Sequence, residues 1–188
     1  GDSFDPYVRR GGQISYLDPT VVLPIMAAAT RHLGLGATLS TTFHTPYHLA
    51  RWLGSLDVLS GGRVAWNVVT SATNLEAQNA GMDELPPREE RYDRADEVLE
   101  ACFALWNGWD EDAFVLDKEA GVFADPSKVH YANYEGRWIK TRGPHAQKLL
   151  KRARVLRRRS PRCAPQLIES CVSKLRREAA RCAQSLRR

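Results

Sequence analysis

The chain has 188 residues and a formal net charge of +5, with 43% hydrophobic and 26% charged residues. These fractions are ordinary for a globular protein, and no apolar run approaches the roughly 20 residues of a membrane-spanning helix, so the composition excludes a helical membrane protein. The four cysteines have neither Cys-x-x-Cys nor zinc-ligand spacing. We therefore expect reduced thiols in a cytoplasmic protein with no membrane partner.

Two helices and a strand are predicted in the first third of the chain. Asp18 is typical of a helix N-cap and Pro19 of a first helical position, so a helix begins there and runs to about His32. Residues 34–41 form a short strand that ends in hydroxyl groups. The dipeptide Thr45-Pro46 starts the next helix, whose apolar residues recur at helical spacing up to a glycine pair.

The most informative stretch follows that glycine pair. Val64–Val69 is a nearly continuous apolar run rich in β-branched residues, typical of a parallel strand covered on both faces. Asn67 interrupts the run, and a buried amide needs hydrogen-bond partners. Ligands of α/β proteins lie at the carboxyl ends of the strands, so Thr70 and Ser71 lie where a phosphate would be held.

A longer helix and an insertion come next. A loop or short helix covers residues 74–81, and Pro86-Pro87 opens a charged helix. Its predicted buried stripe consists of Tyr92, Ala95, Val98, Leu99, Cys102, Phe103 and Trp106. Turn residues then alternate with aromatic and β-branched residues, which predicts loops and hairpins over about 109–143 with a strand at 137–142. Strands separated by helices indicate an α/β fold built from βα units around a parallel sheet.

Several motifs of this sequence resemble one known family. They are Gly11-Gly-Gln-Ile-Ser-Tyr-Leu-Asp-Pro19, His32-Leu-Gly-Leu-Gly36, Ser40-Thr-Thr42, Leu59-Ser-Gly-Gly-Arg-Val-Ala-Trp-Asn-Val-Val-Thr-Ser71, Glu90-Arg-Tyr-Asp-Arg-Ala-Asp-Glu97, Asp117-Lys118, Phe123-Ala-Asp-Pro126 and Arg142-Gly-Pro144. They keep one order over roughly residues 5–145, which makes the resemblance specific. The family is the nitrilotriacetate and dibenzothiophene-sulfone monooxygenase group, within the FMN-dependent, bacterial-luciferase-like monooxygenases.

The resemblance implies a TIM barrel that works as the oxygenase component of a two-component system. Such a protein uses reduced FMN (FMNH2) from a separate NAD(P)H:flavin reductase, together with O2, and inserts one oxygen atom into a small organic substrate. Intact family members are expected to be homo-oligomers. The cofactor carries the chemistry, and the protein binds, orients and shields it.

The resemblance also implies roles for single residues. Ser71 and Tyr92 would hydrogen-bond the FMN phosphate. Asn67 and the region of Thr41 would line the pocket beside the flavin ring, and Gln13 would face the substrate. The catalytic residues stay unassigned, since flavin chemistry needs no nucleophile–base pair.

Each assignment has a structural alternative. Ser71 could cap the turn after its strand, Tyr92 could belong to a helix core, and Asn67 could satisfy a neighbouring backbone group. A base or metal site could be suspected at His44, His48 and His130. These histidines have no partner carboxylate at metal-ligand spacing, so we expect solvated or core side chains and no metal site.

The chain departs from the family pattern at both ends. It begins after the family's first two barrel strands, and after Gly143-Pro144 an arginine-rich sequence replaces the later strands. A typical TIM barrel has about 250 residues. We therefore expect residues 1–147 to form a partial luciferase-like barrel, with impaired activity.

The basic tail, residues 148–188, differs sharply in charge from the rest. It holds 14 of the 27 Lys and Arg residues but two of the 22 Asp and Glu residues, a net charge of +12, which leaves −7 for residues 1–147. Three explanations stay open: a frameshift in a GC-rich gene, an amphipathic helix, or a disordered segment. The alternative function is therefore a non-catalytic fragment whose tail binds a polyanion, either nucleic acid or an anionic membrane surface.

Overall fold

The computed structural model describes residues 5–11, 17–145 and 154–157. The helices in these ranges are α1 (Asp5–Arg10), α2 (Pro19–Ala29), α3 (Pro46–Ser60), α4 (Asn74–Asn79) and α5 (Arg88–Trp106). The strands are β1 (Leu35–Ser40), β2 (Val64–Val69), β3 (Phe114–Asp117), β4 (Val122–Ala124), β5 (Tyr134–Glu135), β6 (Lys140–Thr141) and β7 (Arg154–Arg157), and a short 3-10 helix covers Pro126–Lys128. No helix within the described ranges is both long enough and apolar enough to cross a bilayer.

A three-stranded parallel sheet in the order β1–β2–β7 is the base of the fold. β1 and β2 pair along their whole length, from Leu35 opposite Val64 to Ser40 opposite Val69. Parallel neighbours need a crossover connection, and α3 provides it by packing back on β2. The carboxyl ends of β1 and β2 therefore lie side by side.

The core lies between this sheet and the helices α2, α3 and α5. Its largest fully buried side chain is Trp66 of β2, whose Nε1 donates to the Leu39 carbonyl oxygen at 3.0 Å. The face of β2 that carries Trp66 is buried, but the face that carries Asn67 is only half-buried. Among the described residues β2 is thus covered fully on one face, where the sequence predicted cover on both.

The predicted helix signals of α2 and α3 are confirmed. Asp18 Oδ1 accepts the N–H of Thr20 at 2.7 Å, and Thr45 Oγ1 accepts the N–H of His48 at 3.4 Å. Gly61 follows α3 with φ +66°, the left-handed conformation that glycine adopts readily. Each helix of this pair therefore begins at its predicted N-cap.

The insertion consists of two antiparallel hairpins, β3–β4 and β5–β6, as the turn signals predicted. The predicted strand at 137–142 is wrong for its first half, since strand pairing includes only Lys140–Thr141. The reason is a competing acceptor: the N–H groups of residues 137–139 donate to the Glu97 carboxylate of α5 at 2.9 to 3.1 Å. The Glu97 side chain therefore attaches this part of the insertion to α5.

The structure describes residues 154–157 of the basic tail. They form strand β7, where a helix or disorder was expected, and they pair in parallel with residues 65–68. The edge of β2 that faces away from β1 offers backbone groups to pair with, which favours a strand at this position. The rest of the tail lies outside the described residues.

Candidate functional site

The three predicted phosphate-site residues, Thr70, Ser71 and Tyr92, line one cavity of about 400 Å³. The cavity lies at the carboxyl end of β2, where α/β proteins hold their ligands. The other lining residues are Thr38, Val68, Val69, Ala72 and Glu76. Four of the eight lining residues thus carry a hydroxyl group, so the wall is rich in hydrogen-bonding groups.

Hydroxyl groups also tie the ends of β1 and β2 together. Ser71 Oγ donates to Ser40 Oγ at 2.9 Å, and Thr42 Oγ1 donates to the Thr70 carbonyl oxygen at 2.9 Å. Thr41 Oγ1 donates to the carbonyl oxygen of the last residue of β2 at 3.3 Å. Because Thr41 and Thr42 are buried, water does not compete for these bonds, and the two strand ends keep a fixed relative position.

Ser71 has a left-handed backbone, with φ +62°. This conformation costs a non-glycine residue on the order of 1–3 kcal/mol and occurs often at ligand-binding turns. In the structure the Ser71 hydroxyl donates its one proton to Ser40. Hydroxyl groups rotate, so when this bond reverses Ser71 Oγ accepts from Ser40 and donates its proton to a ligand oxygen. The strained turn therefore places a usable donor at the cavity wall.

The two residues predicted beside the flavin ring lie next to the cavity rather than among its lining residues. Asn67 Nδ2 donates to Thr38 Oγ1 at 3.1 Å, and Thr38 lines the cavity. Thr41 is fully buried and braces the strand ends. Gln13, predicted on the substrate side, lies outside the described residues.

Glu76 is a lining residue that the sequence analysis missed. Its Oε2 accepts the N–H groups of Ala72 at 2.9 Å and Thr73 at 3.1 Å, and Thr73 Oγ1 accepts the Glu76 N–H in return. The sequence contained a pattern that indicates this role, because Thr73-x-x-Glu76 is a capping box at the start of a helix. Glu76 fixes the start of α4 and puts a negative charge at the cavity wall.

Arg91 is the second charged residue that was missed. Its Nη1 donates to the carbonyl oxygens of Thr70 at 2.9 Å and Ser71 at 2.5 Å, and its Nε donates to the Pro86 carbonyl oxygen at 2.9 Å. The contacts with Thr70 and Ser71 span 21 and 20 residues of sequence. No local pattern indicates such a contact.

The histidines lie apart from the cavity lining. His44 and His48 both contact Trp52, edge-on at 5.1 Å and stacked at 6.1 Å between ring centroids, and burial lowers the pKa of His44. The fold brings one carboxylate to His130, whose Nε2 lies 3.1 Å from Asp110 Oδ1 across 20 residues of sequence. In the described ranges no group of three or more His, Cys, Asp and Glu could hold a metal ion.

Known sequences identify relatives of this chain. The model of the luciferase-like monooxygenase family matches residues 2–158. A dibenzothiophene-sulfone monooxygenase from Rhodococcus erythropolis is 58% identical over 145 residues, which are 77% of this chain and 32% of that protein. Component A of a nitrilotriacetate monooxygenase from Aminobacter aminovorans is 41% identical over 128 residues, 68% of this chain and 28% of that protein. These matches confirm the resemblance that the motifs carry.

Solved structures show the same architecture. The crystal structure of a long-chain alkane monooxygenase superposes with a TM-score of 0.79 at 39% identity, over 85% of this chain and 38% of that one. A riboflavin lyase crystallised with modified FMN and riboflavin superposes with a TM-score of 0.76 at 37% identity, over 84% of this chain and 36% of that one. The sheet and its helices are therefore part of a luciferase-like TIM barrel, and the chain spans about a third of the length of these relatives.

Proposed function

This chain belongs to the luciferase-like monooxygenase family, and we propose that it supplies the phosphate-binding part of an FMNH2-dependent monooxygenase. The proposed enzyme is the oxygenase component of a two-component system and inserts one atom of O2 into a small organic substrate. A separate NAD(P)H:flavin reductase delivers the reduced flavin. The named relatives act on a sulfone, on nitrilotriacetate and on long-chain alkanes, which supports a small organic substrate without choosing among these classes.

The cavity at the carboxyl end of β2 carries this proposal. A phosphate needs hydrogen-bond donors, and the hydroxyl groups of Thr70, Ser71 and Tyr92 are donors on residues that line one cavity. Its volume of about 400 Å³ is that of an ordinary ligand site. The residues present therefore fit the phosphate end of FMN.

The side chains of this chain would bind and orient the cofactor. Bound reduced FMN supplies the electrons that activate O2. Ser71 and Tyr92 hold the phosphate, while the buried hydroxyls of Thr41 and Thr42 keep the strand ends in place. Asn67 orients Thr38 at the cavity wall through its 3.1 Å hydrogen bond.

The whole protein is proposed to be a homo-oligomer in a reducing compartment such as the cytoplasm. Exposed apolar side chains on α2, with Val21 63% and Ile25 66% exposed, support an interface there. The cysteine spacing supports reduced thiols. The alternative, a polyanion-binding tail, stays a prediction from the sequence, because residues 148–153 and 158–188 of the tail lie outside the described part of the chain.

Titration of the purified chain with oxidised and reduced FMN, followed by flavin fluorescence, tests the proposal. We expect saturable binding that Ser71→Ala and Tyr92→Phe each weaken by about tenfold, the effect of one hydrogen bond to a charged group. Ser127→Ala and Tyr131→Phe change the same groups in the insertion and should leave FMN binding unchanged. A folded sample that binds no FMN, or binding that is indifferent to Ser71 and Tyr92, would contradict the assignment.

A further inference from the structure

The turn after β2 combines a strained backbone with a single guanidinium group. Ser71 has φ +62°, and its carbonyl oxygen accepts a hydrogen bond from Arg91 Nη1 at 2.5 Å. The same nitrogen donates to the Thr70 carbonyl oxygen at 2.9 Å. One side chain thus binds both carbonyl groups of the turn that presents the proposed phosphate ligand.

The guanidinium is itself held in place. Arg91 Nε donates to the Pro86 carbonyl oxygen at 2.9 Å, so the loop before α5 fixes the plane of the group. The Thr70 carbonyl oxygen also accepts from the buried Thr42 hydroxyl at 2.9 Å. Arg91 and Thr42 therefore both hold the turn through the Thr70 carbonyl oxygen.

The positive charge of Arg91 is a second reason to expect that this residue affects the binding of an anion. Glu76 is the acidic residue among those that line the cavity, and a flavin phosphate would bring further negative charge to the same wall. Arg91 is not a lining residue, but its guanidinium lies against the carbonyl groups of two residues that are. Its positive charge therefore lies beside the turn that carries the proposed phosphate ligands, where it favours a bound anion.

We propose that Arg91 is a positioning residue for the phosphate of the flavin, an inference that rests on the proposed function. Its guanidinium keeps Ser71 in the left-handed conformation, so that the Ser71 hydroxyl faces the phosphate, and its charge offsets that of Glu76. Arg91 does not touch the cofactor. Without it the turn relaxes toward an ordinary backbone conformation, and the hydroxyl leaves its place.

The test compares FMN with riboflavin, which is the same flavin without the phosphate. The dissociation constants of both are measured by fluorescence titration for the full chain and for Arg91→Met, Arg91→Lys and the control Arg51→Met. We expect Arg91→Met to weaken FMN binding by about tenfold or more, with riboflavin binding changed by less than about threefold. The FMN affinity of Arg91→Lys should lie between those of the parent chain and Arg91→Met, because an ammonium keeps the charge but cannot bond all three carbonyl oxygens in one plane. Arg51 lies on α3 over the Tyr47 ring, and its variant should bind both flavins as the parent chain does.

Each outcome decides a different point. Equal losses for FMN and riboflavin in Arg91→Met would mean a general structural role and would overturn the inference, as would unchanged binding of both. If Arg91→Met does not fold, Arg91→Lys decides through the ratio of its dissociation constants for FMN and riboflavin. A ratio equal to that of the parent chain overturns the inference. If the parent chain is folded and binds no FMN, the proposed function fails and this inference fails with it. If the parent chain binds FMN and the Arg91 variants bind it equally well, only the inference is overturned.

Discussion

Single residues in this protein hold the ends of secondary structure through several bonds at once. Ser71 links its hydroxyl to Ser40 and its carbonyl oxygen to Arg91, which offsets the cost of its left-handed backbone. Glu97 accepts three backbone N–H groups of the insertion. Such side chains are sensitive positions, because replacing one of them leaves several polar groups unpaired.

The alkaline stability of the chain should depend on Tyr134. Burial, and then the 2.8 Å hydrogen bond that its hydroxyl donates to Glu100 Oε2, raise the pKa of Tyr134 above its ordinary value. Above about pH 10 the tyrosine ionises in the unfolded chain while the folded chain keeps it protonated, so its stabilising effect is present below pH 10 and is lost as the pH rises further. Tyr134→Phe should flatten this alkaline decrease in the free energy of unfolding.

Urea unfolding at several pH values, from neutral to strongly alkaline, measures the effect. The exposed Tyr131 provides the control, since Tyr131→Phe should keep the parental decrease. The assignment to Tyr134 fails if the Tyr134→Phe chain loses stability above about pH 10 as steeply as the parent does.

At the level of elements, α2 depends on a side chain from beyond α3. The helix ends at Ala29, before the predicted His32, and its last carbonyl groups need partners. Arg63 supplies them: its Nη2 donates to the carbonyl oxygens of Ala27 at 2.8 Å and Thr30 at 2.9 Å. Its Nε donates to the Ser60 carbonyl oxygen at 2.7 Å, which joins the ends of α2 and α3.

Replacement of Arg63 should therefore destabilise the chain. We expect Arg63→Met to lower the free energy of unfolding by about 2–4 kcal/mol, because several carbonyl groups lose a charged donor together. Arg63→Lys should recover only part of this, since one ammonium cannot reach both helix ends. Urea unfolding with Arg51→Met as the control checks the prediction, and a loss no larger than that of the control would contradict it.

The stability of the chain should also depend on the contact between the insertion and α5. An added Cβ at Gly136 would lie 2.2 Å from Glu97 Oε2, far inside van der Waals contact. The carboxylate cannot move away without breaking its bonds to residues 137–139. We expect Gly136→Ala to lower the free energy of unfolding by about 1–3 kcal/mol, the usual cost of overpacking.

Hydrogen exchange locates this effect. The amide groups of residues 137–139 should exchange faster in Gly136→Ala, while Gly34→Ala, which meets nothing within 4 Å, should leave them protected. Parental exchange rates in Gly136→Ala would show that Glu97 yields easily and that the predicted conflict does not arise.

At the level of the whole molecule, the described residues leave apolar surface uncovered. Val21 and Ile25 are four residues apart on α2, hence on one face, and are 63% and 66% exposed. We expect the chain to self-associate through this face, and the double variant Val21→Lys, Ile25→Lys to shift it toward monomer. Sedimentation velocity at several concentrations measures the distribution.

A charge control is needed for this experiment. Asn79→Lys adds a positive charge at an exposed polar position of α4 and should leave the distribution unchanged. A double variant that associates like the parent would show that α2 is not the contact surface.

Features that depend on near neighbours along the chain were predictable from the sequence. Asp18 and Thr45 predicted the helix starts, because an N-cap binds an N–H group within three residues. The apolar run predicted β2, and the motifs identified the family. The resemblance also predicted Ser71 and Tyr92 as phosphate ligands, and both residues line one cavity.

Contacts between segments that are distant in sequence depend on the fold and were not predictable. Arg91 meets Ser71 across 20 residues, Arg63 meets Ala27 across 36, and Glu97 meets Ile139 across 42. These bonds hold the turn at Ser71 and the end of α2, and they limit strand pairing in β6 to Lys140–Thr141. Local propensity acts within a turn or so of chain, whereas a side chain reaches any carbonyl or N–H group that the fold places within about 3 Å of it.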